Sequence, residues 1–145
     1  MGYTVFWYRK NLKDGFPVHQ FSQAVEACRK AIDESCVQLE LSSITDELIY
    51  FNGVYGKSCE PFRFPRVTVI NDRSQIYDDF VFNFCKTRYF PYDLLVKTCL
   101  IILSHFFPGQ LKLSSDGHSI DDWQDGVALA SKVLGIAPNF ELNKE

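Results

Sequence analysis

The run Leu94-Leu95-Val96-Lys97-Thr98-Cys99-Leu100-Ile101-Ile102-Leu103-Ser104-His105-Phe106-Phe107 constrains this chain's fold more than any other stretch. Wound as a helix it is apolar nearly all round, and such a helix needs cover on more than one side. With Lys97, Ser104 and His105 inside its fourteen residues, it falls short of the roughly 20 apolar residues of a membrane span. It is expected as the central helix of a core. A length of 145 residues suits one core, and 46% hydrophobic with 15% aromatic content supplies apolar surface to bury there. One domain is expected over residues 1–145, with 136–145 a short polar tail and Phe140 its candidate anchor.

Around that helix the pattern predicts an α+β fold: a mostly antiparallel sheet of about five or six strands packed against three helices. Residues 3–9 alternate as a strand, and Asn11-Leu12-Lys13-Asp14-Gly15 supplies turn chemistry. From Pro17, the apolar residues Phe21, Val25, Cys28 and Ile32 recur at helical spacing. The period-two stretch 36–41 and the run 47–51 read as an antiparallel pair, with Asn52-Gly53 as a tight turn. Residues 56–78, interrupted by Pro61 and Pro65, read as a long loop with short extended pieces. Phe80-Val81-Phe82-Asn83-Phe84-Cys85 is apolar on both faces, as for a strand near a sheet centre. Pro91 suits the first turn of the central helix and Asp93 its positive end. Residues 110–114 form a short strand, and Ser115-Asp116-Gly117 a turn. Ser119 and Asp122 imitate a capping box for a last helix to about Leu134, buried through Trp123, Val127, Ala130 and Leu134 and closed by Gly135.

Fifteen basic against eighteen acidic residues leave a formal charge of −3, too little positive field for general adhesion to nucleic acid or anionic membrane. Five cysteines without a C-x-x-C or a partnered histidine argue against a zinc site or a secreted disulfide framework. The basic pair Arg9-Lys10 follows the first apolar run, whereas an export signal places it before. A cytoplasmic protein with reduced thiols is expected, and no metal or cofactor.

Three groups could carry function. In the first, Asp116, His118 and Asp122 could ligate a cation or set a carboxylate beside an imidazole, although a turn and a helix cap already account for all but His118. In the second, Lys86 and Arg88, followed by Tyr92 and Asp93, leave the carboxyl end of a strand, where anions and acidic partners are favoured. Cys85 beside them is a nucleophile only with a stabilised thiolate and a histidine in reach. In the third, Lys57, Arg63, Arg66 and Arg73 interleave with Phe62, Phe64 and Tyr77. That pattern superficially suits single-stranded nucleic acid, but Glu60, Asp72, Asp78 and Asp79 cancel the field and argue against it. Gly53-Val54-Tyr55-Gly56-Lys57-Ser58 fails as a phosphate loop on glycine spacing.

Taken together, Phe84-Cys85-Lys86-Thr87, Pro91-Tyr92-Asp93, the apolar helix, Ser114-Ser115-Asp116-Gly117 and Asp122-Trp123 with Gly126 resemble the closing half of small uncharacterised bacterial proteins. The resemblance covers roughly residues 80–135 and has a toxin-immunity-like look. It implies binding to another protein, such as a toxin, whose site this chain would occlude, with exposed aromatics, Arg63 and Arg66 of the 55–77 loop as anchors. The rival expectation is a small enzyme or ligand-binding protein whose pocket lies between Lys86/Arg88/Tyr92 and Asp116/His118/Asp122, with Asp93 and Trp123 beside it.

Overall fold

Alternation along the first strand sets the layers. In β1 (Thr4–Lys10), Val5, Trp7 and Arg9 point inward and are buried, while Phe6, Tyr8 and Lys10 point outward. The computed structural model, which describes residues 2–117 and 119–143, continues this pattern through an α+β fold of three helices and seven strands in two antiparallel sheets. The four-stranded sheet has the order β5 (Ile76–Tyr77), β6 (Phe80–Lys86), β1, β7 (Leu111–Ser115). The three-stranded sheet runs β2 (Leu39–Ile44), β3 (Leu48–Gly53), β4 (Phe62–Pro65). Set apart from that second sheet, the chain runs β1-α1-β5-β6-α2-β7, the order of a split βαβ unit. The second sheet is an insertion between α1 (Val18–Ser35) and β5.

The apolar run forms α2 (Asp93–Phe106), and every residue from Leu95 to Ser104 is buried. It packs against α1, against α3 (Gln124–Leu134) and against β7, so it is central as its composition requires. Pro91 stands just before this helix rather than in its first turn. A short 3₁₀ turn (Ile120–Trp123) leads into α3, capped by Ser119, whose hydroxyl accepts from the Asp121 N–H. Gly135 closes α3 in the left-handed conformation. The tail returns to the core: Phe140 and Leu142 pack against it, and Leu142 bridges to Leu113.

Several expectations need correction. Residues 36–41 are not one strand, because Cys36 closes α1 at a φ of 60° and β2 starts at Leu39. Leu41 then sits in a register shift, 74% exposed at a φ of 55°. Asn52-Gly53 is not the turn; it ends β3, and the chain reverses at Val54–Lys57. Gly53 is required there for another reason, since a Cβ would lie 2.2 Å from the Lys57 carbonyl and 2.8 Å from the Tyr92 ring. Within the 56–78 loop, the extended piece 62–65 is a full sheet strand paired with β3, with Pro65 at the strand's end, where a missing N–H is tolerated. Ser115 belongs to β7, leaving Asp116-Gly117 as the turn. Finally, β6 buries only one face: Val81 and Cys85 point into the core, and Phe84 is 55% exposed.

The two sheets are joined through aromatic packing. Trp7 lies 5.3 Å from Phe62 and 6.4 Å from Phe64 between ring centroids, and Phe16 stacks on Phe64 and Phe107. Arg9 crosses the same seam. Its guanidinium sits over Phe64 and Phe16 and donates to the Pro65 and Arg66 carbonyls at 2.7 and 3.1 Å.

Candidate functional site

Two of the expected groups meet where β6 turns into α2. Thr87 donates its hydroxyl to Asp93, and Asp93 takes the Lys97 ammonium at 2.8 Å, one helical turn along. Lys97 is 3% exposed; it also donates to the Asp122 carbonyl at 3.0 Å and lies 4.5 Å from the Tyr3 ring centroid. Tyr3 and Tyr89 stack at 3.7 Å and both donate to the Asp122 carboxylate, at 3.1 and 3.3 Å. Burial, and then the nearby carboxylates of Asp93 and Asp122, push the Tyr3 phenol above its ordinary range. Arg88 and Tyr89 adopt φ of 55° and 63° in a tight turn closed by the Phe90 N–H on the Thr87 carbonyl.

The corner's polar groups are spent on one another. Asp116 accepts the Thr4 N–H at 2.9 Å, tying the turn to β1. Trp123 is buried and donates to Ser115 at 3.1 Å. The Tyr92 hydroxyl donates to the Glu60 carbonyl at 2.6 Å and accepts the Cys59 N–H at 3.2 Å. The Cys85 thiol, pushed up chiefly by burial, donates to the Glu60 carbonyl at 3.4 Å. That environment keeps it protonated and weakly nucleophilic. A cleft of about 340 Å3 is lined by Tyr89, Asp93, Lys97, Asp121, Asp122 and Asp125, but not by Lys86, Arg88 or Asp116. His118 lies outside the described residues. Among the described residues no group of three or more His, Cys, Asp or Glu is placed to hold a metal ion.

The loop anchors also resolve differently from expectation. Phe62 and Phe64 are core residues with no exposure, because alternation on β4 turns them inward. Arg66 is spent internally, with Nε 3.0 Å from Glu47 and Nη1 on the Asp14 and Phe16 carbonyls. Arg63 is exposed, as are Tyr55 and Tyr77.

A surface that the sequence reading did not identify lies on the outer side of the four-stranded sheet. Register aligns Phe6 with Phe84, Tyr8 with Phe82 and Lys112, and Phe80 with Lys10 and Tyr77. The rings form a connected patch: Phe6–Phe82 at 5.8 Å, Tyr8–Phe82 at 5.2 Å, Phe82–Phe84 at 5.9 Å and Tyr8–Tyr77 at 6.1 Å. The Lys10 and Lys112 ammoniums both approach Phe80, at 5.4 and 4.7 Å from its centroid. Lys10 also meets Asp79 at 3.7 Å. A groove of about 510 Å3 between Tyr8, Tyr77, Phe80, Lys112 and Asn143 opens beside the patch. The signal for it was the alternation of β1 and β6, which puts Phe6, Tyr8, Phe80, Phe82 and Phe84 on one side.

Among known protein families, curated proteins and solved structures, none matches this chain. Among the described residues no helix is long and apolar enough to cross a membrane.

Proposed function

We propose that this protein is a non-catalytic binding module that docks another protein on the outer face of its four-stranded sheet. The supporting observation is the patch of Phe6, Tyr8, Phe82, Phe84 and Tyr77, with Phe84 and Tyr77 more than half exposed. Contiguous exposed apolar surface of this kind marks interaction sites, and aromatic residues are enriched at interface cores. Lys10, Lys86 and Lys112 share the outward register of these strands, so the surface fits a partner that is apolar at its centre and acidic at its rim. Occlusion of a toxin's site, the role implied by the resemblance of the closing half, would use this face rather than the 55–77 loop, whose Phe62, Phe64 and Arg66 are engaged internally. The rival pocket has less support, since the Lys97–Asp93–Asp122 corner satisfies its own charges.

A photo-crosslinking residue placed at Phe84, with the exposed helix position Glu26 as control, tests this in native cells. A discrete adduct at Phe84 alone that survives nuclease and is lost on Tyr77→Ser is expected. Equal labelling from both positions would overturn the reading. An adduct that nuclease removes would overturn it too, because it assigns the rings to stacking with single-stranded nucleic acid.

A further inference from the structure

The seam between the two sheets holds polar groups that the fold leaves without partners. Among the described residues, Trp7 Nε1, Arg9 Nε, Thr68 Oγ1 and Gln110 Oε1 are buried side-chain atoms that make no hydrogen bond. Three of the four belong to residues lining one cavity of about 200 Å3, together with Arg63, Asn83, Val69 and Phe84. Gln110 Oε1 apart, the buried side-chain polar atoms elsewhere among the described residues find partners: the other tryptophan, Trp123, donates to Ser115. Orphaned donors gathered at one cavity need an explanation, since each costs the desolvation of its group.

Charge points the same way. Arg9 is 2% exposed, yet among the described residues no carboxylate lies within salt-bridge distance of it. Its Nη atoms are taken by two carbonyls and its faces by two rings, none of which carries a countercharge. Arg63 adds a second cation to the same lining, and the one ion-paired arginine nearby, Arg66, uses Glu47 for itself. A buried cation without its anion is costly and favours an acceptor carrying negative charge. Around the donors, Pro61, Pro65, Val69 and Phe84 supply apolar wall.

We propose that this cavity takes a small organic carboxylate, its oxygens accepting from Arg9 Nε–H, Trp7 Nε1–H and the Thr68 hydroxyl, with Arg63 adding charge and the apolar wall holding the carbon end. Two N–H donors suit a planar pair of oxygens, and the space has room for several atoms beyond them. The cavity shares Phe84 with the open sheet face, but Trp7 and Arg9 reach it from the opposite side of β1, and its proposed ligand does not depend on a protein partner.

The chain's two tryptophans make the test direct. Titration of uniformly 15N-labelled protein with acetate and then benzoate should shift the Trp7 indole N–H and the Arg9 Nε–H saturably, while the Trp123 indole stays in place. An acetylated dipeptide, carrying a chain-terminal carboxylate, distinguishes a free acid from a peptide end; a shift with either source supports the site. Thr68→Val and Arg63→Gln should each weaken binding about 3- to 10-fold, with the folded spectrum retained and Arg73→Gln binding as the parent does. Peaks that stay fixed into the tens of millimolar, or that respond to phosphate but to no carboxylate, would overturn the proposal. So would undiminished binding by both variants, because the carboxylate would then be held without the groups assigned to it.

Discussion

Arg9 on β1 holds its guanidinium carbon 4.3 Å from the ring centroid of Phe64 on β4, and this stacking joins two sheets that share no strand. The arrangement needs arginine in particular. A planar guanidinium lies flat on a ring while its edge reaches the Pro65 and Arg66 carbonyls, which an ammonium cannot do. Burial lowers the Arg9 pKa to about 9, which still leaves it charged at neutral pH. A lysine starts lower, at about 10.4, so the same burial drives it further toward the neutral form. Arg9→Lys should therefore cost roughly 2–4 kcal/mol at pH 7, from lost charged hydrogen bonds and stacking. Urea unfolding reads this directly, and an unchanged midpoint would mean the sheets hold together without the bridge.

The Lys97–Asp93 pair makes a second, asymmetric prediction. Both groups are nearly closed to solvent, and their ammonium–carboxylate distance is 2.8 Å. Asp93→Ala strands the ammonium beneath Tyr3 and should cost about 3–5 kcal/mol. Lys97→Met leaves Asp93 with Thr87 as donor and should cost less. Combining the two should recover at least about 1 kcal/mol relative to the sum, because neighbouring charges couple. Strict additivity in denaturant titrations would show that the pair does not act as a unit.

How far the sequence discloses this molecule depends on what burial leaves in the pattern. The α2 run is apolar on every side, and only an interior helix satisfies that, so its central place is legible. The capping role of Ser119 and the closing role of Gly135 are legible because each follows from local backbone chemistry. The second sheet is harder to see, since Pro61 and Pro65 mask a two-residue alternation of Phe62 and Phe64 that pairs at a sheet edge. In β6 the ambiguity is physical: a strand buried on both faces and one displaying rings to solvent have the same composition. Arg9 was concealed by its charge, although its register with Val5 and Trp7 already placed it inward. The seam cavity is not legible at all, because Trp7 and Thr68 reach it from segments far apart in the chain.

Buried phenols and thiols make stability fall on the alkaline side. Burial raises the Tyr3 and Tyr92 phenols above 10.0 and the Cys28 and Cys85 thiols above 9.0. For such acids the unfolded chain releases its proton first, so their contribution is complete below the ordinary value and is lost as pH rises toward the folded one. Stability should stay level between about pH 7 and 8.5, fall gently from near 9, where the thiols' loss is partly offset by Arg9, whose folded value of about 9 lies below its unfolded one, and fall more steeply beyond 10 with the phenols. Each titrating group contributes a slope of about 1.4 kcal/mol per pH unit. Cys85→Ala should make the profile between pH 9 and 10 distinctly shallower, because it removes one of the two falling thiol contributions and leaves the opposing one of Arg9 in place. Thermal denaturation across this range checks it, and a flat profile to pH 11 would contradict the burial of all four groups.

Reactivity of the five thiols separates the binding reading from a nucleophilic one. Cys36 is exposed at the end of α1 and Cys59 is half-buried, whereas Cys28, Cys85 and Cys99 are closed to solvent. Alkylation needs both access and a thiolate, and Cys85 has neither while its proton is held toward the Glu60 carbonyl. Iodoacetamide at pH 7.5 should modify Cys36 first, Cys59 more slowly, and the other three only at the rate at which the fold opens, so that moderate urea brings them in together. Mass spectrometry of the labelled peptides gives the order. If Cys85 were alkylated as fast as Cys36 in the native protein, the thiol would have to be ionised and reachable, and the joint between β6 and α2 would again be a candidate for covalent chemistry.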